Sequence, residues 1–313
     1  MGIVSIFIVQ STETKPVQAL GSTVLLGKRI AKMAIPPASD EEISGRTLYG
    51  DNFSPDQIRE WYDSEVTGYF DLLADHYKAT NADNKYNYEY DALNQFHAVA
   101  GLLDRQFETC LALGCAAGDD IAPLAAVVQR FIAVEPAEKW WHDDIGGKPA
   151  TYMRPSAIGD IALESETVDL ATSFGVLHHI PNVSHVVAEI ARVLKPGGIF
   201  VLREPISSMG DWRKARVGLT ANERGLPTKW FESLARTIGF KILARRACMF
   251  GPLSTISRKF GISTPFAKMA IVKLDWLISE AFRWNARYWR DTFAKKMAPS
   301  SAFWILERPT EDS

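Results

Sequence analysis

The residues best suited to chemistry begin in LALGCAAGDD, Leu111 to Asp120. An apolar run enters Gly114, small residues follow, and Gly118 closes a turn ahead of a helical pattern. Glycines let the backbone take positive φ and come close to a ligand. A helix starting beyond them would turn free N–H groups and a positive dipole end toward a carboxylate or phosphate. The next apolar run, RFIAVEP, places Glu135 at its tip. An acid there can accept both hydroxyls of a ribose, and it can equally be a solvated strand end.

Such groups need a rigid frame. Short β-rich runs alternate with helical runs from residue 109 onward. The expected strands are Thr109–Leu113, Arg130–Val134, Thr151–Arg154, Val168–Phe174, Gly198–Arg203, Phe240–Arg245 and Ala302–Glu307, with helices near 119–128, 183–194 and 228–238. That alternation predicts an α/β fold built on a mostly parallel sheet covered on both faces. The unbroken apolar character of TCLALG and IFVLRE fits strands without a wet face. Ahead of this core, Ser54 and Pro55 open a helix over 53–80 and a second helix follows at about 88–103. Residues 1–50 read as an arm or linker, 51–105 as a helical cap, 106–250 as the core, 251–300 as an insertion and 301–313 as a final strand and tail. Within the insertion, helices are expected around 265–282 and 283–297.

Composition bounds the class. The 313 residues are 47% hydrophobic and 23% charged, with a formal charge of −2, which is ordinary for a globular chain and excludes a disordered, collagenous or polytopic membrane one. A near-neutral total offers no general footprint for nucleic acid. Cys110, Cys115 and Cys248 are an odd set without zinc spacing, so neither a disulfide framework nor a structural zinc site is expected, and no metal cluster is recognisable. The amino-terminal MGIVSIFIVQ lacks the basic start of a secretory signal, and no window reaches the ~20 apolar residues of a spanning helix. A cytoplasmic location, peripheral to the membrane at most, is the expectation.

The motif set as a whole resembles the class I S-adenosylmethionine-dependent methyltransferases. The glycine loop and Glu135 are followed, in order and at family spacing, by Gly159-Asp160, a strand ending in GVLHHI, and LKPGG before IFVLRE. The resemblance is strong over 109–205 and extends by layout over 228–309. It implies a Rossmann-like seven-stranded sheet with an antiparallel seventh strand, an N-terminal helical extension, and a helical insertion between strands six and seven. It also implies S-adenosylmethionine as cofactor. Carried over by position, Gly114, Cys115, Ala116 and Gly118 shape the loop around the methionine part. Glu135 binds the ribose hydroxyls, Asp160 accepts from the adenine amino group, and the Ile161 N–H meets a ring nitrogen. Phe174 or Gly175 borders the methionine moiety. Two positions depart from the family pattern. Ala112 stands where an acid is usual and Ala116 where a glycine is usual.

His178 and His179 lie at the carboxyl end of the fourth strand, the ligand edge of such sheets. Methyl transfer to a hydroxyl needs the acceptor held in line and a base for its proton, and a histidine titrates in the useful range. The pair can also pack or cap the loop. Glu204, at the tip of strand five, is a second base candidate. The polar loop ISSMGDWRKARVGLTANERGLP leaves the same edge, and Trp212, Arg213, Asn222 and Arg224 are its candidate acceptor contacts. Tyrosines in the segment 86–90 could close over the cofactor or pack in the core.

The insertion carries its own signal. Residues 241–296 hold twelve basic against three acidic residues, or +9 in a chain of −2. Trp276, Trp284, Tyr288, Trp289 and Phe293 interleave with the charges. Such a segment can lie on an anionic membrane surface, face an anionic carrier of the acceptor, or act as a lid over the acceptor site. The functional expectation is methyl transfer to a small-molecule or glycan hydroxyl, with a weaker likeness to bacterial surface-glycan and glycolipid methyltransferases. Two alternatives remain open. One is a methyltransferase-fold protein that binds without catalysis, favoured by Ala112 and Ala116. The other is an RNA or protein methyltransferase working through the basic insertion. No Asn-Pro-Pro-aromatic motif follows strand four and no Pro-Cys nucleophile exists, which argues against base amino and cytosine C5 methylation.

Overall fold

A computed structural model describes residues 35–65, 89–214, 216, 218–220 and 222–310. Its centre is an eight-stranded sheet: β1 (Phe107–Leu113), β2 (Val128–Val134), β3 (Asp144–Ile145), β4 (Lys148–Met153), β5 (Val168–Phe174), β6 (Leu194–Pro205), β7 (Lys241–Phe250) and β8 (Pro299–Glu307). The order is β3-β4-β2-β1-β5-β6-β8-β7. Strands β4, β2, β1, β5 and β6 pair in parallel, while β8 runs antiparallel between β6 and β7. This is the expected seven-strand arrangement with one addition, the two-residue β3 that hairpins onto β4. The chain leaves β1 toward β2 on one side and returns to β5 on the other. Ligands in open α/β sheets bind at such a reversal, beyond the carboxyl ends of the strands.

Alternation along the strands builds two cores. Leu111 and Leu113 of β1 face one, with Phe200, Trp304 and Leu306. Cys110 and Ala112 face the other, with Phe131, Phe303 and Ile305. The first core is closed by α4 (Val183–Val193) and α5 (Thr228–Ile238). Val183, Val186, Val187, Ile190 and Val193 form the buried stripe of α4 at helical spacing. The second face is covered by α3 (Asp91–His97) and α7 (Met269–Ala281). All three cysteines are buried and free, so packing is their role.

Several sequence expectations change. Residues 119–128 do not form an α-helix; a short 3-10 turn, Ala122–Ala126 with Pro123 in its first turn, bridges β1 to β2. Within the turn itself only Leu124 is buried, and one turn accumulates little macrodipole. The second helix shrinks to α3 plus a 3-10 turn at Val99–Gly101. Of the helix expected over 53–80, the described part is α2, residues 55–65, and Ser54 and Gln57 cap it reciprocally. The rest of it, and Tyr86 and Tyr88, fall outside the described residues. Tyr90 is buried against Phe266 and under the Arg203 guanidinium, so this tyrosine belongs to the core.

The described end of the expected 1–50 arm, residues 35–50, packs against α2. A short helix, α1 (Asp40–Ser44), carries a capping box from Ser39 and Glu42. Leu48 and Tyr49 beyond it are buried, and Tyr49 packs with Phe53, Trp61 and Trp212. The described end of the expected arm is therefore body, because its aromatic side chains need the same shelter as those of α2. The final strand expected within 301–313 is β8, which lies inside the sheet between β6 and β7.

In the insertion, α6 (Gly251–Lys259) continues from β7, and α7 replaces the helix expected at 265–282. Residues 283–297 hold only a 3-10 turn at Arg283–Asn285 and α8 (Phe293–Lys296). Between them Arg290 donates to the Arg287 and Pro299 carbonyls, and Tyr288 turns into the aromatic cluster of Tyr49, Phe53 and Trp61. A continuous helix could satisfy neither demand.

Candidate functional site

Where β1, β2 and β5 end, an open cleft of about 630 Å³ lies against the first core. Its floor is Leu113, Gly114, Val134 and Val176, and its walls include Pro136, Asp160, Ile161 and Ile180. Tyr62 and Glu65 of α2 enter from above, and His179 stands beside them.

The glycine loop is built as the residue types suggest. Gly114 has φ +62, and a Cβ there would meet Val176 Cγ1 at 2.7 Å, so only glycine lets β1 pass this close to the turn after β5. Ala116 has φ 48, the left-handed region, at the position where the resembled family carries glycine. Cys115 is buried with its thiol pushed up by desolvation, and Gly118 lies against Ile145. No helix of useful length follows, so the expected dipole end is missing. Asp120 does not start a helix; its carboxyl is buried and desolvation pushes it up to about 8.

Glu135 stands at the tip of β2 but faces inward. It is fully buried, with Oε2 accepting from Ala116 N at 3.0 Å and Oε1 from Ala137 N at 2.9 Å. Burial pushes it up to about 7 against these two bonds. It braces the loop through these two bonds, beside the residues that line the cleft. Asp160 lines the cleft, half-exposed, with Oδ1 2.8 Å from His185 Nε2. The Ile161 side chain lines it too. Its N–H donates to Glu189 Oε2 at 3.0 Å, so that N–H is not available to a ring nitrogen. Phe174 is buried edge-on to Phe303, and Gly175 donates its N–H to the Arg203 carbonyl; neither borders the cleft.

The two histidines separate into different roles. His178 is buried, with Nδ1 2.7 Å from Glu204 Oε2. Glu204 Oε1 accepts the N–H groups of Val176 and Leu177 at 2.9 and 2.8 Å. With no exposure and both oxygens engaged, Glu204 holds the turn after β5, and His178 completes that brace. Burial and the neighbouring His179 lower the pKa of His178. Neither fits the role of base. His179 does face the cleft, and its Nδ1 lies 3.1 Å from Glu65 Oε2. Burial alone would lower its pKa, but the Glu65 bond and the charge of Glu223 raise it overall. Glu65, itself 3% exposed, also accepts the Asn222 N–H at 3.0 Å and the Thr220 hydroxyl. Burial would raise its pKa; the His179 bond and the other donors hold it below the ordinary carboxylate value.

Sequence reasoning missed Glu65. A signal was present, because Ile58, Trp61 and Glu65 share the inward stripe of α2, where a carboxylate needs a buried partner. The candidate acceptor contacts are placed differently from one another. Arg224 is fully buried and donates to the carbonyls of Tyr49, His178 and Pro181 at 2.9, 3.0 and 3.1 Å. Trp212 is buried among Tyr49, Tyr288 and Trp289. Arg213 is outside, paired with Asp211. Asn222 reaches the site only through Glu65 and Ser64. No residue of 251–300 is among those lining this cleft, and α7 buries Val272 on the opposite face. Among the described residues no cluster fits a metal ion.

Residues 111–202 match the family described as "Methyltransferase domain". This range runs from β1 into β6 and includes Asp160 and both histidines. Curated relatives include an uncharacterized 37.1 kDa protein in transposon TN4556 of Streptomyces fradiae, 32% identical over 39% of this chain and 36% of its own length. A probable S-adenosylmethionine-dependent methyltransferase of Mycolicibacterium smegmatis is 28% identical over 30% of this chain and 37% of its own length. A ubiquinone biosynthesis O-methyltransferase of Rhizobium rhizogenes is 26% identical over 46% and 64%. The chain thus spans about a third to just under two thirds of the curated relatives it matches. The [4+2]-cyclase SpnF aligns structurally at 16% identity and a TM-score of 0.47, covering 79% of this chain and 96% of that one. With its glycine loop, its strand order and this match, residues 111–202 of the chain form a methyltransferase domain.

Proposed function

We propose that this chain transfers a methyl group from S-adenosylmethionine to a hydroxyl of a small-molecule or glycan acceptor. One observation carries the reading: His179 faces the cleft while its Nδ1 is held by the buried Glu65 carboxylate. A carboxylate on Nδ1 fixes the tautomer and leaves Nε2 as the proton acceptor. S-adenosylmethionine, when bound, supplies a sulfonium methyl open to in-line displacement by oxygen. Gly114, Val134, Pro136, Asp160 and Ile161 would hold it along the β1–β2 side of the cleft, and the apolar walls and Asp160 carboxylate fit an adenosine. The hydroxyl would lie toward Tyr62 and His179, which takes its proton as the new C–O bond forms. The name of the Rhizobium O-methyltransferase is compatible with an oxygen acceptor.

Calorimetric titration with S-adenosylmethionine and S-adenosylhomocysteine, followed by turnover on a panel of sugars and glycolipids, tests this. We expect micromolar binding that weakens in Asp160→Ala. His179→Ala and Glu65→Gln should keep that affinity and lose about 10²–10⁴ in turnover. Since His179 is raised above its ordinary 6.5, turnover should increase with pH through a midpoint above that value and shift lower in Glu65→Gln. Absence of cofactor binding refutes the transfer. Binding without turnover on any acceptor supports instead a non-catalytic binding protein, a reading favoured by the inward-turned Glu135 and the uncharged Ala112.

A further inference from the structure

Eight of the ten large apolar side chains exposed among the described residues fall within 251–300. Scattered exposed leucines are unremarkable in any protein, whereas a concentration in one segment marks a contact surface. Phe260 is 81% exposed, Phe293 78%, Trp284 70% and Leu277 59%. The pattern is directional on α7. Val272, Asp275 and Ser279 are buried, and Lys273, Leu274 and Leu277 project from the other side at helical spacing. The helix is also fixed in place, because Asp275 accepts the N–H groups of Met249 and Phe250, both at 2.7 Å. Asn285 donates to the Ala294 and Met297 carbonyls, which draws the chain next to Trp284 toward the chain next to Phe293.

Charge distinguishes this face from an ordinary protein contact. Its segment has nine basic and three acidic residues. Asp275 is turned inward, Glu280 accepts from Ala247 N and pairs with Arg283, and Asp291 pairs with Lys295. Lys259, Lys268, Lys273 and Lys296 have no carboxylate partner among the described residues. A segment that combines exposed aliphatic and aromatic side chains with unpaired lysines matches the interfacial zone of an anionic bilayer, apolar groups toward the acyl boundary and cations at the headgroups. Leu274, Leu277 and Ile256 have no means of stacking on bases, so nucleic acid fits less well. No helix among the described residues is long and apolar enough to cross a membrane.

We infer that the 251–300 segment docks the protein reversibly on an anionic lipid surface. The test is co-sedimentation of the full chain with phosphatidylcholine vesicles, with and without about 30 mol % phosphatidylglycerol. We expect binding to the anionic vesicles only, lost at high salt. Joint replacement of Lys268, Lys273 and Lys296 by Gln should weaken it by about fivefold per lysine. Leu277→Ser with Phe293→Ala should weaken it by more than about tenfold. These side chains are exposed, so unchanged thermal melts should accompany the losses. Equal binding to neutral and anionic vesicles, no binding to either, or preference for an RNA oligomer over the anionic vesicles overturns the inference.

Discussion

Arg224 offers a test that needs no acceptor. Its guanidinium is fully buried, donates to three backbone carbonyls and lies with Cζ 5.0 Å from the Trp61 ring centroid. Those carbonyls belong to two separate segments: Tyr49 before α2, and His178 and Pro181 in the connection between β5 and α4. Arg224→Met keeps most of the volume and removes every donor. A buried hydrogen bond from a charged donor is worth about 1.5–3 kcal/mol, so three of them set the gross loss. Relief of the desolvation that already lowers the Arg224 pKa returns several kcal/mol. A net destabilisation of about 3 kcal/mol is expected. At roughly 2 cal/mol/K of unfolding entropy per residue, that lowers Tm by about 5 °C. Calorimetry and urea denaturation measure it, with Arg213→Met on the exposed Asp211 pair as a control that should leave Tm unchanged. A Tm equal to wild type, with loss of acceptor affinity alone, would refute the assignment of Arg224 as a structural staple.

Two further predictions concern the cofactor loop. Ala116 holds φ 48, so Ala116→Gly should raise stability by about 0.5–1 kcal/mol, the relieved strain exceeding the added freedom of the unfolded chain; a lower Tm would count against strain there. Glu135 is raised from 4.5 to about 7, so the folded state retains a proton that the unfolded state has released across that interval. Stability should therefore fall as pH rises from about 4.5 to 7, by about 3 kcal/mol from this group. Denaturation of wild type and Glu135→Gln across that interval should show that component missing in the variant; parallel profiles would reject it.

Much of the frame is legible in one dimension. Continuous apolar runs mark β1 and β6 because strands buried on both faces have no polar side. The stripe of α4 and the cap at Ser54 report local geometry that neighbouring residues impose by themselves. The glycine loop, Glu135 and the two histidines are recognisable because strand ends project their next residues to one edge. What those side chains then do was decided by tertiary structure. Whether Glu135 meets a ligand or Ala116, and whether Glu204 is a base or a brace, depends on which N–H groups other segments bring within 3 Å. Glu65 and Arg224 show the same limit from opposite directions. Glu65, unremarked in a helix, becomes the partner of His179, separated from it by 114 residues. Arg224, in a polar loop, is held inside by the carbonyls of Tyr49, His178 and Pro181. A buried polar group goes where its partners are, and those partners are distant in sequence.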